Sequence, residues 1–306
     1  MIDLHTHTNY SDGTDSPASL VRKACEAGLR ALAITDHDTL DGYLAAVEPA
    51  RVAGLELICG IEISTRLPEQ AKRATHLLAY FLDEIPPPDF HAWLGLVQQA
   101  RRERNERMAA RLQALNFDVT LAAAQALGRS ITGRVHFARL LRDQGYVSSI
   151  DQAFELYLGD HAPGFVAMDE PPIEDALQRV RAAGGVPVIA HPIRLGLTNP
   201  ATAPATDPAT ETAVFARLKD LGLLGLEVYH SDHDAATAAR YLAIARQLGL
   251  AITGGSDYHG EAKPNVRLAT GRHRNVHVPY AILTALRALG QPHHRALGHP
   301  HHGAVG

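Results

Sequence analysis

The chain has 306 residues, of which 46% are hydrophobic and 20% charged, and its formal net charge at pH 7 is −4. This composition supplies the core of one large or two modest globular domains, and the acidic balance argues against a protein that coats nucleic acid or binds a DNA duplex. No apolar run approaches the roughly 18 residues that cross a bilayer, so we expect a cytoplasmic protein without a membrane partner. Cys25 and Cys59 lie in no CxxC pattern and are expected to be buried thiols.

The first predicted element is a short apolar strand at residues 2–4, and it is followed by His5 and His7. Side chains at i and i+2 of an extended chain point the same way, about 7 Å apart, so both imidazoles can reach one cation. Asp12 follows on a loop. Two histidines and a nearby carboxylate predict the nucleus of a metal site, although an isolated pair of this kind also occurs as two surface histidines.

Strands and helices alternate along the rest of the first quarter. Helices are predicted from Ser16-Pro17 to about residue 28 and at about 42–53, and strands at about 31–35, 55–63 and 75–82. The three strands carry His37 and Glu62 near their ends and His76 at the start of the last one. Active sites of βα-barrels are built at such strand ends.

A different pattern occupies the middle of the chain. Three prolines within residues 84–89 predict a linker, and residues from about 90 to 160 are predicted to be helical, with helices at about 121–127, 134–144 and 150–158. A charged run in the first of these helices is expected to be a solvated face. It comprises Arg101, Arg102, Glu103, Arg104, Glu106 and Arg107.

The α/β alternation returns at about residue 165. Helices are predicted at about 173–183, 212–221, 235–248 and 279–289, strands at about 186–190, 225–229 and 250–253, and a flexible loop at 198–210. These strands end in His191, His230 and the pair Asp257 and His259.

Nine side chains of the types that bind metals therefore gather at strand ends or on the loops that follow. They are His5, His7, Asp12, His37, Glu62, His76, His191, Asp257 and His259. A lone histidine at a strand end is more often structural, but joint recurrence on successive βα units is not explained that way. Since one cation uses four to six ligands, two or three ions with a bridging carboxylate are implied, and Glu62 is the natural bridge.

The ordered motifs DLHTHT, ITDHD, GIEIS, AHP and SDYHG, together with Asp12 and His76, resemble the PHP (polymerase and histidinol phosphatase) family of metal-dependent phosphoesterases. The resemblance covers essentially the whole chain. In addition, the segment ITGRVHFARLL at residues 131–141 is similar to the inserted helical domain of one bacterial branch, which contains 3′,5′-nucleoside bisphosphate phosphatases and 5′→3′ exoribonucleases.

The resemblance implies a distorted (β/α)7 barrel with a trinuclear metal site. The barrel would comprise residues 1–85 and 165–290, the helical insert 90–164, and a flexible His-rich tail 291–306. One ion would be held by His5, His7, Glu62 and Asp257, a second by Glu62, His76 and His191, and a third by Asp12, His37 and His259. Nitrogen and oxygen ligation without thiolate suits Mn²⁺, Fe²⁺, Zn²⁺ or Mg²⁺, and the share of carboxylates among the ligands favours Mn²⁺.

The expected activity is that of a phosphomonoesterase that removes the 3′-phosphate of nucleoside 3′,5′-bisphosphates such as pAp by metal-activated hydroxide. Arg134, His136 and Arg194 are the candidate contacts for the second phosphate, and His230 is the candidate proton donor. The alternatives are a 5′→3′ exoribonuclease on short RNA, a histidinol phosphatase, and a non-catalytic metal-binding module. The oligomeric state is left open.

An RNA-binding surface would need a basic track with stacking aromatics, whereas aromatic residues make up only 6% of the chain. A small group of basic residues, Arg267, Arg272 and Arg274, is expected to be solvated surface. The sequence therefore favours a small nucleotide substrate over RNA.

Overall fold

The computed structural model describes residues 1–68, 74–197 and 208–290. The strands in these ranges are β1 Ile2–Asp3, β2 Ala31–Ile34, β3 Glu56–Arg66, β4 Ala74–Phe81, β5 Val186–Ile189, β6 Gly225–His230 and β7 Ala251–Gly255. The helices are α1 Pro17–Glu26, α2 Asp41–Ala53, α3 Pro88–Ala114, α4 Leu121–Ala126, α5 Arg134–Asp143, α6 Ile150–Ala153, α7 Ile173–Ala182, α8 Pro208–Asp220, α9 Ala235–Leu248 and α10 Ala281–Gly290. A π-helical turn, Phe154–Leu158, continues α6.

The strands form one sheet in the order in which they occur along the chain. Neighbouring strands are parallel except for β4, which runs antiparallel to both β3 and β5. The sheet curls until its edges meet, with the Leu4 amide donating to the Gly254 carbonyl at 3.3 Å and Thr6 bridging to Tyr258. The predicted distorted (β/α)7 barrel is confirmed.

The seam between β1 and the segment after β7 contains a buried carboxylate, Asp3. It accepts hydrogen bonds from the Ser256 amide at 2.9 Å, the Ser256 hydroxyl at 2.6 Å and the Ala269 amide at 2.8 Å. Burial raises the pKa of this carboxyl although the hydrogen bonds lower it, and the same bonds join the two ends of the barrel sequence.

Helix α3 connects the barrel to the helices that follow. Its first part packs Phe90 and Trp93 against the barrel core, whereas its second part joins a separate apolar cluster with Met108, Leu112 and Phe137. These helices lie between β4 and β5 in the chain, and the division into barrel and insert stays a prediction.

Four expectations about local structure require correction. The predicted linker ends at Pro87, because Pro88 is the first residue of α3, where a missing amide costs nothing. Helix α8 begins at Pro208, inside the predicted loop, and the remainder of that loop (198–207) lies outside the described residues, as does the tail 291–306. Cys25 is exposed, because it points away from the buried face of α1, whereas Cys59 is buried as expected.

The fourth correction concerns the charged run in α3. Arg102, Glu103, Glu106 and Arg107 are exposed as predicted, but Arg101 and Arg104 are buried. These two arginines lie on the face of α3 that turns toward the strand ends, so the run is only partly a solvated face. Among the described helices, none combines the length and the apolar sequence needed to cross a membrane.

Candidate metal centre

The nine predicted metal ligands converge at one edge of the barrel. His5, His7 and Asp12 follow β1, His37 follows β2, His191 follows β5, and Asp257 and His259 follow β7, while Glu62 lies within β3. His76 lies near the start of β4, paired with Ser64 of β3. Since β4 is antiparallel, its start reaches the edge where the parallel strands end, which explains why a residue at a strand start belongs to this group.

Glu62 is the centre of this cluster. Its side chain is 1% exposed and meets five imidazoles. Its Oε2 lies 3.2 Å from His5 Nε2, 3.1 Å from His7 Nε2 and 3.3 Å from His37 Nδ1, and its Oε1 lies 2.9 Å from His76 Nδ1 and from His191 Nε2. Each oxygen thus faces a different set of nitrogens, as a bridging ligand requires.

Two further carboxylates extend the cluster on either side of His7. Asp257 Oδ1 lies 3.5 Å from the Nε2 atoms of both His5 and His7. Asp12 Oδ1 lies 3.2 Å from His259 Nε2 and 3.6 Å from His7 Nδ1, and its Oδ2 lies 3.7 Å from His37 Nε2. The cluster is therefore an alternation of carboxylates and imidazoles rather than a set of isolated pairs.

The donor atoms suit divalent cations. Four ligand atoms are buried without a hydrogen-bond partner in the described ranges, namely His5 Nε2, His7 Nε2, His37 Nδ1 and Asp12 Oδ1. This is costly unless another group occupies the space between them. Among the described residues, four sets place their ligand atoms within 4.8 Å of one another. Three consist of predicted ligands, namely His5, His7, Glu62 and Asp257; His7, Asp12, His37 and His259; and His37, Glu62 and His76, and the fourth is His5, Glu227 and His230. His191 joins through its 2.9 Å approach to Glu62.

The carboxylates and His37 have protonation states that suit metal binding, whereas His5 and His7 would each give up a proton when a cation binds. Burial opposes the charged forms of His5 and His7, but the carboxylates beside them raise both pKa values, that of His7 to about 9. Burial opposes ionisation of Glu62, but the surrounding imidazoles of His5, His76 and His37 hold its pKa well below the usual range. Burial likewise opposes ionisation of Asp257, and Lys263, His259 and Arg194 lower its pKa well below the usual range. Burial lowers the pKa of His37 to about 3, which keeps that imidazole neutral. Ionised carboxylates and neutral imidazoles are the forms that bind metals.

Sequence reasoning missed the residue that orients His5. Glu227, fully buried in β6, accepts a hydrogen bond from His5 Nδ1 at 2.9 Å and one from the His191 amide at 2.6 Å. A proton held at Nδ1 leaves Nε2 of His5 free to bind a cation. The available signal was a carboxylate in the middle of a buried apolar strand, GLEVYH.

Several residues at the strand ends have left-handed backbone conformations. The φ angles are 53° for Asp38, 29° for His191 and 55° for Asp257. The amide of each residue donates a hydrogen bond that holds it in place. Asp38 donates to the Glu62 carbonyl at 3.0 Å, His191 donates to the Glu227 carboxylate, and Asp257 donates to the His5 carbonyl at 2.9 Å. Backbone strain of this kind concentrates at functional sites, where the surrounding structure maintains it.

The other predicted site residues lie at different distances from this centre. His230 is buried, with Nε2 3.3 Å from Asp257 Oδ2, and Arg194 donates to Asp257 at 2.9 Å and to Asp232 at 2.6 Å. Arg134 lines the adjoining cavity. His136 is buried in α5, where its Nδ1 accepts the Gly133 amide at 3.0 Å, so it caps the helix and does not line the cavity.

A cavity of about 460 Å³ opens beside the cluster. One wall carries six of the nine metal-type ligands and Lys263, whose Nζ lies 2.7 Å from Asp257 Oδ2. The six are Asp12, His37, Glu62, His76, Asp257 and His259. The other wall, the helical wall, comes from the mostly helical segment between β4 and β5 and includes Arg101, Arg104, Arg134, Phe154, Phe165 and Met168. Of the basic group expected to be solvated, Arg267 and Arg274 are exposed, whereas Arg272 is partly buried and lies 3.5 Å from Asp232.

The chain is similar to proteins of known class. The sequence profile of the PHP domain matches residues 3–167. A 3′,5′-nucleoside bisphosphate phosphatase of Chromobacterium violaceum is 29% identical over 260 residues, which are 84% of this chain and 87% of that protein. The 5′-3′ exoribonuclease Rnm of Escherichia coli is 33% identical over 265 residues, 84% of either chain. The crystal structure of a metal-dependent phosphoesterase from Bifidobacterium adolescentis superposes with a TM-score of 0.79 at 30% identity, covering 95% of this chain and 96% of that one.

Proposed function

The chain belongs to the PHP family, and from that membership we propose that it is a phosphomonoesterase that removes the 3′-phosphate of nucleoside 3′,5′-bisphosphates, converting pAp into AMP and phosphate. Family and fold make it a metal-dependent phosphoesterase. The observation that carries the narrower proposal is the cavity, because one wall holds the metal-type cluster and the other holds three arginines. A bisphosphate needs an anion-binding group at each of two places.

The nine ligands would hold two or three divalent ions, for which we propose Mn²⁺, and such ions supply positive charge for the phosphoryl oxygens and lower the pKa of water. The chain itself contributes orientation and further charge. Glu227 fixes the ring of His5, while Arg194 and Lys263 bring two cations to Asp257, beside the place where a phosphoryl group would lie.

We assign the proton for the leaving oxygen to His230. Its ring is 1% exposed, and its Nε2 is without a hydrogen-bond partner at the edge of the cluster. Its Nδ1 accepts the Asp232 amide at 3.0 Å, so the mobile proton belongs on Nε2, the atom directed to Asp257. An alkoxide leaving group needs such a donor near neutral pH.

The size of the cavity supports a mononucleotide substrate. A volume of about 460 Å³ is of the order that encloses a small ligand. A processive RNA enzyme would need an open basic track with successive stacking aromatics. The second candidate, a 5′→3′ exoribonuclease, is favoured by Phe154 and Phe165 in the helical wall, where a base could stack, and by the similarity to the E. coli enzyme.

Phosphate release from a substrate panel tests the proposal. The panel contains pAp, 3′-AMP, 5′-AMP, histidinol phosphate and a 5′-phosphorylated oligoribonucleotide, each with protein loaded with Mn²⁺, Fe²⁺, Zn²⁺ or Mg²⁺. We expect the highest kcat/KM on pAp. Faster release of mononucleotides from the oligoribonucleotide would select the exoribonuclease, and faster hydrolysis of histidinol phosphate would select that phosphatase.

A further inference from the structure

The helical wall of the cavity presents three guanidinium groups that differ in how they are neutralised. Arg101 donates to the Asp38 carboxylate through both Nε and Nη2, and to Ser64 Oγ at 2.6 Å. Arg134 lies 3.3 Å from Asp160. Arg104 differs from both, because among residues 1–68, 74–197 and 208–290 no carboxylate lies within 4.0 Å of its guanidinium.

Arg104 is nonetheless buried. The residue is 4% exposed, it lines the cavity, and its Nε is buried without a hydrogen-bond partner. Burial, followed by repulsion from Arg101 and Arg134, holds its pKa well below the usual range. Glu170 also lines the cavity, and burial raises the pKa of its carboxyl, but among the described residues it forms no ion pair with Arg104. An uncompensated buried cation destabilises the folded protein unless an anion binds to it.

A second anion-binding feature faces the same space. The ten-residue helix α5 begins at Arg134, and its N-cap is Gly133, which has no side chain to cap the first-turn amides. A Cβ at Gly133 would lie 3.7 Å from Arg101 Nη1, so this end of the helix adjoins the arginine group. Gly133, Arg134 and Val135 all line the cavity. Free amides and the helix dipole favour an anion at such an end.

We infer that Arg104, supported by Arg101 and the N-terminus of α5, forms a phosphate subsite for the substrate phosphate that is not hydrolysed. This inference rests on the proposed function and deepens it, because it assigns selection of bisphosphates over monophosphates to the helical wall. Arg101 is committed to Asp38 and holds the site in place. Arg104 donates to no group among the described residues and is therefore the residue that meets the phosphate, for which its planar fork is suited.

The test compares Arg104→Gln with Arg102→Gln on the Mn²⁺-loaded protein. Arg102 lies two residues away on the same helix, is exposed, and hydrogen-bonds only to Gln99 among the described residues, so its variant is a matched control. We expect the ratio of kcat/KM on pAp to that on 3′-AMP to fall about 100-fold in Arg104→Gln and to stay unchanged in the control. An equal loss on both substrates, or no loss on pAp, would overturn the inference.

Thermal unfolding separates this inference from the proposed function, because it needs no turnover. We expect pAp to raise the Tm of the wild type. Since Arg104→Gln removes a buried unpaired charge, we expect it to raise the Tm of the ligand-free protein and to abolish the increase with pAp. A lower Tm with the pAp-induced increase intact would show Arg104 to be structural. If wild-type protein releases no phosphate from pAp, the proposed function fails and these Tm shifts still decide on the subsite.

A second variant covers the case in which Arg104→Gln does not fold. Arg104→Lys keeps the positive charge but lacks the fork that can meet two phosphate oxygens. A fall of at least tenfold in the pAp to 3′-AMP ratio would support the subsite, and an unchanged ratio would overturn it.

Discussion

Replacing Glu227 with Gln should weaken metal binding although Glu227 is not among the predicted ligands. In the wild type, one carboxylate accepts two hydrogen bonds, from His5 Nδ1 at 2.9 Å and from the His191 amide at 2.6 Å. A Gln side chain has one oxygen and one NH₂ group, so it can accept only one of them. If the oxygen serves His191, the NH₂ faces His5 Nδ1 and the imidazole proton must move to Nε2, the atom that lies 3.2 Å from Glu62.

The opposite orientation of the amide is no better. The NH₂ group would then face the buried His191 amide, donor against donor, which leaves a buried N–H unsatisfied at about 1–3 kcal/mol. Either outcome disturbs one imidazole ligand. We therefore expect the affinity for Mn²⁺ to fall about 10- to 100-fold, equivalent to about 1.4–2.7 kcal/mol, with activity at limiting metal falling in parallel.

Calorimetric titration of metal-free protein with Mn²⁺, together with elemental analysis after dialysis, measures this change. Glu106→Gln is the matched control, because Glu106 is exposed on α3 and its variant makes the same chemical replacement. A Glu227→Gln protein that binds Mn²⁺ with wild-type affinity and stoichiometry would refute the role assigned to this carboxylate.

The remaining predictions concern the metals, a buried ion pair and the tail. Chelation should abolish phosphate release, and His5→Ala or Asp257→Ala should lower kcat by orders of magnitude with an unchanged circular dichroism spectrum; activity that survives chelation, with no more than one tightly held metal by elemental analysis, would contradict this. Arg101→Met should lower the free energy of unfolding in urea by about 3–5 kcal/mol, because it leaves the Asp38 charge buried and unpaired, and a loss below about 1 kcal/mol would show the pair to be dispensable. Removal of residues 291–306 should leave kcat unchanged, and loss of catalysis by a folded truncated protein would contradict this.

Most of the fold followed from hydrophobic periodicity and strand-end polarity, because a buried parallel strand and an amphipathic helix each leave a local pattern. The direction of β4 did not follow, since periodicity carries no information on whether neighbouring strands are parallel. His76 was predicted as a ligand at a strand start, but the sequence did not show how a residue there reaches the edge where the other strands end. The antiparallel course of β4 brings it to Glu62.

The site was predictable where ligands lie beside one another in short motifs, as His5 and His7 do. The residues that support those ligands were harder to find. Glu227 and Arg101 act through contacts 222 and 63 residues away in sequence, with His5 and Asp38. Arg104 lies in a run of charged residues that is typical of an exposed helix face, and it is buried because this part of α3 faces the ends of the barrel strands. Long-range packing, which a single sequence does not display, decides such cases.

The closure of the barrel between its first and last strands has a consequence for synthesis on the ribosome. His5 emerges early, but its partner Asp257 is added 252 residues later, and the seam that Asp3 makes with Ser256 waits for the same segment. Until then β1 lacks its neighbour on one side, and the first ligand set lacks its last carboxylate. A nascent chain that has not reached Asp257 would therefore hold His5 and His7 without the carboxylate that completes their set, so the ion of this set should bind only after the segment that follows β7 has been synthesised.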